Sequence, residues 1–349
     1  MTIKVAFLPV YANPYQRLLA EALGDEDVAV EFLSGLPSPG WLRAHAGDGS
    51  ILHYHWLYGL YMARAATPAQ VGRFIARLRL AGRLGYRIVW TAHNVLPHRA
   101  PFPLLHTAIR RLMMRRADAV ITHCAAGRRE LLARFPRRGP IEVIPHGHYR
   151  DVYRPILSRQ QARERQSLPP NNYVYLALGN IAAYKGLDYL ASTFEQTAGP
   201  DDLLLVAGRN RDNRLVHQLN QAAARDPRVR VQVGEIPEED IATYLTAADV
   251  IVAPFERILT SGSIIAALSL GRPVIVPSLG CLPELVTPAA GIVYEAADPA
   301  ALGQALQAIK QRDPAALSDG ARRVADGLGW AEIARRTAAV YRSCLEHSR

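Results

Sequence analysis

The chain is poor in several things that would mark it early. It has three lysines and three cysteines in 349 residues. Cys124, Cys281 and Cys344 are far apart and match no metal or redox spacing, so a reducing cytosol is the expected setting. No run of eighteen apolar residues occurs, and no basic-plus-apolar leader opens the chain. A transmembrane or exported protein is therefore not expected. No GxGxxG follows a strand-like run, no GxxxxGK[ST] occurs, and no HExxH occurs. These absences argue against a dinucleotide oxidoreductase, a P-loop NTPase and a zincin. The acidic triplet Asp25-Glu26-Asp27 falls in an early turn and reads as solvated, so no metal site is expected.

What is present is an ordinary globular composition with a lopsided charge. Hydrophobic residues make up 49% and charged residues 21%. Residues 1–150 carry 20 Lys and Arg against 9 Asp and Glu, while the remainder carries 21 against 22. The whole positive excess lies in the first half. A high-GC genome explains arginine over lysine but not that confinement. An anionic partner for the first half is the physical expectation.

Apolar runs of four to seven residues alternate with amphipathic segments. In the first half they fall at 3–10, 28–33, 51–55, 88–92, 119–123 and 141–145, and in the second at 173–178, 203–207, 229–233, 250–253 and 273–276. Such alternation predicts parallel sheets covered by helices on both faces. The pattern pauses at "PHGHYRDVYRP" and a polar stretch follows it. This suggests a basic domain at 1–150, a second at 151–330 and a terminal helix at 331–349 that can return to the first. Two doubly wound α/β domains would face a cleft, with chemistry in the loops after the strands.

Those loops hold the informative residues. In "ILTSGSIIAALSLGRPVIVP", Thr260, Ser261, Gly262 and Ser263 lie between a strand and a helix. They read either as a helix cap or as an anion cradle built from N–H groups and hydroxyls. In "LALGNIAAYKGLDYL", Lys185 follows a strand and can reach a phosphate, or it is a solvated loop lysine. Arg209 ends the strand in "VAGRN", as a cleft residue or a surface one. Glu284 in "GCLPELV" can accept from sugar hydroxyls or simply favour a helix start. Histidines crowd the first half: His53, His55, His93, His98, His123, His146 and His148, several just after strands. The segment 101–120 sets an apolar stripe of Leu104, Leu105, Ile109, Leu112 and Met113 beside Arg110, Arg111, Arg115 and Arg116. It reads as a membrane-surface helix or as a core helix with a solvated basic face.

Taken together, "GNIAAYKG", "VAGR", "GRPVIVPSLGCLPELV" and the terminal "GWAEIARRTAAVYRS" resemble the two-Rossmann (GT-B) glycosyltransferases. "NPYQRLL", "LHYHW", "TAHNVLPH", "HGHYRD" and the Ser-Gly-Ser loop are similar to the branch of β-mannosyltransferases acting on lipid-linked oligosaccharides in exopolysaccharide assembly. The resemblance implies donor contacts at Asn180, Lys185, Arg209, Phe255, Thr260, Ser261, Gly262, Ser263 and Glu284. It implies acceptor contacts at Asn13, Tyr15, His55, Asn94 and His146. The implied donor is GDP-mannose and the acceptor a polyprenyl-pyrophosphate-linked oligosaccharide. The enzyme would need no cofactor and no nucleic acid, and would work at the cytoplasmic face of an anionic membrane.

Two departures from the large retaining group stand out. Its E-x7-E positions hold Ile258 and Ala266, and an arginine near the cleft lysine is replaced by Ala182-Ala183. An inverting transfer needs a base for the acceptor hydroxyl, and His93, then His98, are the expected candidates. A retaining enzyme would need none. A UDP-sugar transferase, a nucleotide-sugar 2-epimerase and a basic nucleic-acid or polysaccharide binder are the competing readings.

Overall fold

The computed structural model describes residues 2–11, 13–47, 50–62, 67–97 and 101–346. The chain divides into two compact units: residues 1–147 with 328–349, and residues 148–327. The divisions thus fall three residues before each expected boundary, and the terminal helix Trp330–Glu346 belongs to the first unit.

The first unit holds six parallel strands, β1 (Ile3–Leu8), β2 (Val28–Phe32), β3 (Ser50–Tyr54), β4 (Arg87–Thr91), β5 (Ala119–Thr122) and β6 (Ile141–Val143), in the order β2-β1-β3-β4-β5-β6. The register is tight across the centre: Phe7 pairs with His53, and His53 with Val89. β3 to β5 are buried nearly throughout because helices cover both faces, which is why they read as continuous apolar runs.

The second unit is also all-parallel. Its strands are β7 (Tyr173–Leu178), β8 (Asp202–Gly208), β9 (Val229–Val233), β10 (Val250–Val252), β11 (Val274–Pro277) and β12 (Gly291–Tyr294), in the order β12-β11-β10-β7-β8-β9. Its core gathers Tyr175, Leu190, Phe194, Leu204, Val206 and Ile275. Each such side chain contributes about 1.5–3 kcal/mol of hydrophobic stabilisation.

Helix starts follow local chemistry. Asn13 caps Pro14–Gly24, a Thr67/Gln70 capping box opens Pro68–Arg83, and Asp212 caps Asn213–Arg225. The polar stretch after the first unit also contains a helix, Arg159–Arg165, with a Ser158/Gln161 capping box. Arg163 on it is buried and bonds Asp249 at 2.7 Å. No helix among the described residues is long and apolar enough to cross a membrane.

The helix Pro103–Arg116 corrects the expected stripe. It buries His106, Ile109, Arg110, Met113 and Met114, while Leu104 is 85% exposed. The buried face is rotated by about one residue from the apolar stripe, because Arg110 and His106 find polar partners inside.

Candidate functional site

Strand order reverses between β1 and β3 in the first sheet, and between β7 and β10 in the second. Ligands of open α/β sheets bind at the carboxyl ends of strands at such points. Both units concentrate their unusual side chains there.

In the second unit the loop after β7 folds back over its own strand. Gly179 has φ +109, and a Cβ there would sit 3.0 Å from Lys185 Nζ. Gly186 has φ +60, and its Cβ would lie 2.3 Å from Pro254 O, so only glycine lets this loop lie against the loop after β10. Tyr184 O accepts from the Glu256 backbone N–H at 3.0 Å, joining the same two loops. Lys185 is 8% exposed and donates to Leu178 O at 2.8 Å. Its Nζ lies 5.5 Å from the Phe255 ring centroid, and the Tyr184 ring is parallel to Phe255 with centroids 6.3 Å apart. Burial pushes the Lys185 ammonium down to about 8. No carboxylate shares in that shift, so the cation is suited to an incoming anion.

Downstream, Ser261 caps the helix Gly262–Ser269 and its Oγ lies 3.0 Å from Ser263 Oγ. The preceding loop is held by Cys281, whose N–H donates to Leu259 O at 2.7 Å. The two hydroxyls, the free helix N–H groups and Lys185 thus follow two neighbouring strands. Helix N–H groups, hydroxyls and an ammonium are each groups that favour an anion. Thr260 precedes the cap and is half-buried, as is Gly262. Asn180 accepts from Arg211 Nε at 3.3 Å. Arg209 follows β8 but is exposed and pairs with Glu235 at 3.4 Å. Glu284 is exposed on the short helix Leu282–Leu285, next to Cys281, which anchors the loop.

In the first unit the loops after four consecutive strands, β3 to β6, contribute to one row. His55 follows β3, His93 follows β4, His123 follows β5, and Ile144 and His146 follow β6. His55 Nδ1 lies 3.2 Å from His93 Nε2, and His93 Nδ1 lies 3.0 Å from His123 Nε2. His123 Nδ1 reaches Ile144 O at 3.0 Å, and His146 Nδ1 reaches Gly147 O at 2.9 Å. Below them His53 bonds Tyr341 Oη at 2.6 Å and Thr91 Oγ1 at 2.7 Å. The Tyr15 ring sits among His55, His93, His123 and His146, with centroids 4.5–5.9 Å away. Burial holds His53 down to about 3 and His146 to about 3, and His123 down to about 4. His55 and His93 lie well below the usual imidazole range, from burial first and neighbouring histidines second. The row is uncharged at neutral pH.

The row borders a cavity of about 490 Å³ lined by Tyr11, Asn13, His55, Trp56, His93 and Asn94, with Arg110 also on its wall. Asn13 both caps its helix and faces this cavity; its Oδ1 accepts from Tyr15 N at 2.9 Å. Trp56 stacks on His93 at 4.3 Å. Arg110 is 4% exposed; its Nη1 donates to Tyr61 Oη at 2.7 Å and its Nε to Val95 O at 2.9 Å. Tyr61 Oη is in turn 2.8 Å from His106 Nδ1. No carboxylate among the described residues pairs with this guanidinium. Among the described residues no three His, Cys, Asp or Glu side chains gather to hold a metal ion.

The structure therefore brings Asn13, Tyr15, His55, His93, Asn94 and His146 into one neighbourhood. It brings Lys185, Phe255 and the 260–263 loop to the second switch point. His98 lies outside the described residues. Sequence reasoning missed Arg110, Trp56 and Tyr184 as site residues. Only Arg110 left a signal: it lies four residues after His106 and three before Met113, on the buried face of its helix.

Comparison with known proteins fits this geometry. Residues 172–312 match the model of the glycosyl transferases group 1, and residues 15–149 match that of glycosyltransferase family 4. The GDP-mannose:glycolipid 4-beta-D-mannosyltransferase of Xanthomonas campestris pv. campestris is 27% identical over 299 residues, 83% of this chain and 78% of that protein. The D-inositol 3-phosphate glycosyltransferase 1 of Catenulispora acidiphila is 30% identical over 338 residues, 89% of this chain and 76% of that one. Among solved structures, sucrose-phosphate synthase from Thermosynechococcus elongatus superposes with TM-score 0.77 at 22% identity, covering 99% of this chain and 100% of that one. HepE of Anabaena with UDP-glucose gives 0.73 at 16% identity, covering 98% and 99%. Two doubly wound sheets, each with its polar loops gathered at a switch point, and relatives matching along both halves lead to one assignment: the chain belongs to the glycosyltransferases of the GT-B fold.

Proposed function

We propose that this glycosyltransferase moves mannose from GDP-mannose onto a lipid-linked oligosaccharide, with inversion to a β linkage. The observation that carries the donor side is Lys185, a buried cation with no carboxylate sharing its shift, set at the switch point beside the Ser261–Ser263 helix start. In transfer the C1–oxygen bond to the nucleotide diphosphate breaks, and the leaving group takes the electron pair. Lys185 and the helix N–H groups meet that growing charge with preformed positive potential. The donor sugar is proposed from the mannosyltransferase relative, whose likeness runs through both halves.

The acceptor side rests on the cavity beside the histidine row. Its aromatic and amide lining suits a sugar, and the uncharged histidines carry lone pairs able to take a proton. The exposed Phe102, Leu104, Arg111, Arg115 and Arg116 at the helix Pro103–Arg116 support contact with an anionic membrane carrying the lipid-linked acceptor.

A second acceptor reading follows from Arg110, the buried guanidinium on the cavity wall. It favours a phosphate near the acceptor sugar. The D-inositol 3-phosphate glycosyltransferase relative makes a phosphorylated cyclitol the alternative acceptor.

The test is thermal stability with GDP, UDP, ADP and CMP, since a ligand of the folded state alone raises Tm. Selective stabilisation by GDP, lost in Lys185→Ala, supports the proposal. Selective stabilisation by UDP replaces the donor. No stabilisation by any of the four removes the donor site from this loop.

A further inference from the structure

The histidine row has a direction, and one bond sets it. A carbonyl oxygen only accepts, so the 3.0 Å contact of His123 Nδ1 with Ile144 O places the proton on Nδ1. A neutral imidazole carries a single N–H, so His123 Nε2 is a lone pair. His93 Nδ1, 3.0 Å away, must then be the donor. His93 Nε2 is left as a lone pair, and His55 Nδ1 donates to it across 3.2 Å. Three neutral rings therefore point their N–H groups one way. The open end is His55 Nε2, a lone pair that is buried and has no hydrogen-bond partner among the described residues.

The neighbouring rings do not offer the same thing. His53 has both nitrogens engaged, by Tyr341 and Thr91, and His93 has both engaged within the row. His55 is on the wall of the cavity that holds Asn13, Trp56 and Asn94. An unpaired buried acceptor is destabilising until a donor arrives. The row cannot turn round to present an N–H there without breaking the bond to Ile144 O.

We infer that His55 is the catalytic proton acceptor of the transfer, taking the proton of the attacking sugar hydroxyl on Nε2, with His93 and His123 as positioning residues that hold this tautomer. The inference rests on the reading of the cavity as the acceptor site. The acceptor oxygen forms its bond to C1 of the donor sugar as the bond from C1 to the diphosphate oxygen breaks. The diphosphate leaves with the electron pair, and the acceptor's proton goes to His55 Nε2. The imidazolium can pass its Nδ1 proton to His93 Nε2, and that ring its own to His123 Nε2. The positive charge is then shared along the row rather than held on one buried ring. The base role expected of His93 moves one ring along, because the His93 nitrogens are spent on its neighbours. The same lone pair is a selectivity device: it accepts a hydrogen bond from a hydroxyl and offers nothing to a phosphate or carboxylate oxygen.

The experiment is side-chain nitrogen NMR of the full chain with labelled histidine, without ligand, near pH 7.5. The expected spectrum shows His55, His93 and His123 all as the Nδ1–H tautomer. In His123→Ala the nitrogen shifts of His55 move, although two contacts separate the rings. Wild-type His55 found as the Nε2–H tautomer overturns the inference whether or not any variant folds. The kinetic arm uses radiolabelled GDP-mannose and a lipid-linked oligosaccharide. His55→Gln lowers kcat by about 10²–10⁴-fold while stabilisation by GDP is kept. His123→Ala lowers kcat with little change in acceptor KM. A His55→Gln enzyme within threefold of wild-type kcat overturns the catalytic role. A wild-type chain that transfers no sugar to such an acceptor overturns the acceptor reading and the catalytic role with it. The tautomer spectrum, which needs no substrate, still decides the order of the row, so the two failures are told apart.

Discussion

The two switch points solve opposite electrostatic problems. The second unit keeps a charge: Lys185 is buried and pushed down to about 8, with no carboxylate sharing in that shift. The first unit suppresses charge: its central histidines are buried, bonded to one another and held neutral. The fold is the same at both places, parallel strands ending in short loops. What differs is whether the buried group has partners able to share its proton. A lone ammonium over an aromatic ring cannot share, so it needs a ligand. A row of imidazoles can, so it needs no charged ligand, and only its His55 end is left short of a hydrogen-bond donor.

Removing the charge from the second unit should have the largest effect. Lys185→Ala is expected to lower kcat about 10²–10³-fold, as for loss of one preorganised donor, with Tm unchanged or higher because a buried cation is gone. Steady-state kinetics beside a melting curve checks both halves of that statement. The same lysine gives a pH test. In the free enzyme the ammonium is lost above about 8, so nucleotide affinity should fall up to tenfold per pH unit from there. The fall stops where the phosphate-raised value in the complex is reached. Calorimetric titration at pH 7, 8 and 9 reads it, and a flat profile removes Lys185 from the binding site.

Acid should break the first unit before the second. Its buried histidines have folded values below the unfolded value of about 6.5. Below pH 6.5 the unfolded chain binds protons that the folded unit refuses. Their stabilising share is therefore full above 6.5 and is lost as pH falls toward the folded values. Each loses up to about 2 kcal/mol between pH 6.5 and 5. The four tryptophans, Trp41, Trp56, Trp90 and Trp330, all belong to the first unit. Their fluorescence should report acid unfolding at higher pH than the loss of far-UV ellipticity that both units share. Coincident transitions would contradict the asymmetry.

Two smaller effects sharpen the donor side. Gly186→Ala forces a Cβ to 2.3 Å from Pro254 O at φ +60. It should cost about 1–2 kcal/mol from backbone handedness alone, plus the contact, and weaken GDP stabilisation by displacing Lys185. Ser261→Ala removes a helix cap and should cost about 1 kcal/mol of stability with a few-fold weaker nucleotide binding. Denaturant melts with and without GDP separate the two contributions.

Eleven of the twelve strands were legible, the central ones because strands covered on both faces write themselves as continuous apolar runs. The exception is β12, Gly291–Tyr294, which opens on a glycine after the turn 287–290. The helix Arg159–Arg165 was unreadable for a different reason. It carries no apolar face, and its anchor is Arg163, whose guanidinium takes Asp249 and the carbonyls of Ala247, Pro170 and Asn172. At the site, the sequence placed histidines after strands but not beside one another. Their contact depends on β3, β4, β5 and β6 being consecutive in the sheet, which periodicity does not encode. Arg110 was assigned to a basic outer face because arginines flank it on the same helix. The partners that draw it inward, Tyr61 and Val95, are distant in sequence.

The helix Trp330–Glu346 carries a consequence for how the protein is made. Trp330 lies against Gly147, where any Cβ would meet its ring at 2.3 Å, and beside Tyr15 at 5.6 Å. Tyr341 holds His53, and Arg342 reaches back to Glu26 O at 2.9 Å. The unit whose strands leave the ribosome first is thus the unit whose closing helix is translated after every strand of the other. Residues 148–327 have all their own strands before that helix exists. A nascent chain whose residue 327 has just cleared the exit tunnel should display a finished second unit and an unfinished first one. The histidine row, with Tyr341 missing from beneath it, would be set only once that helix has emerged and docked.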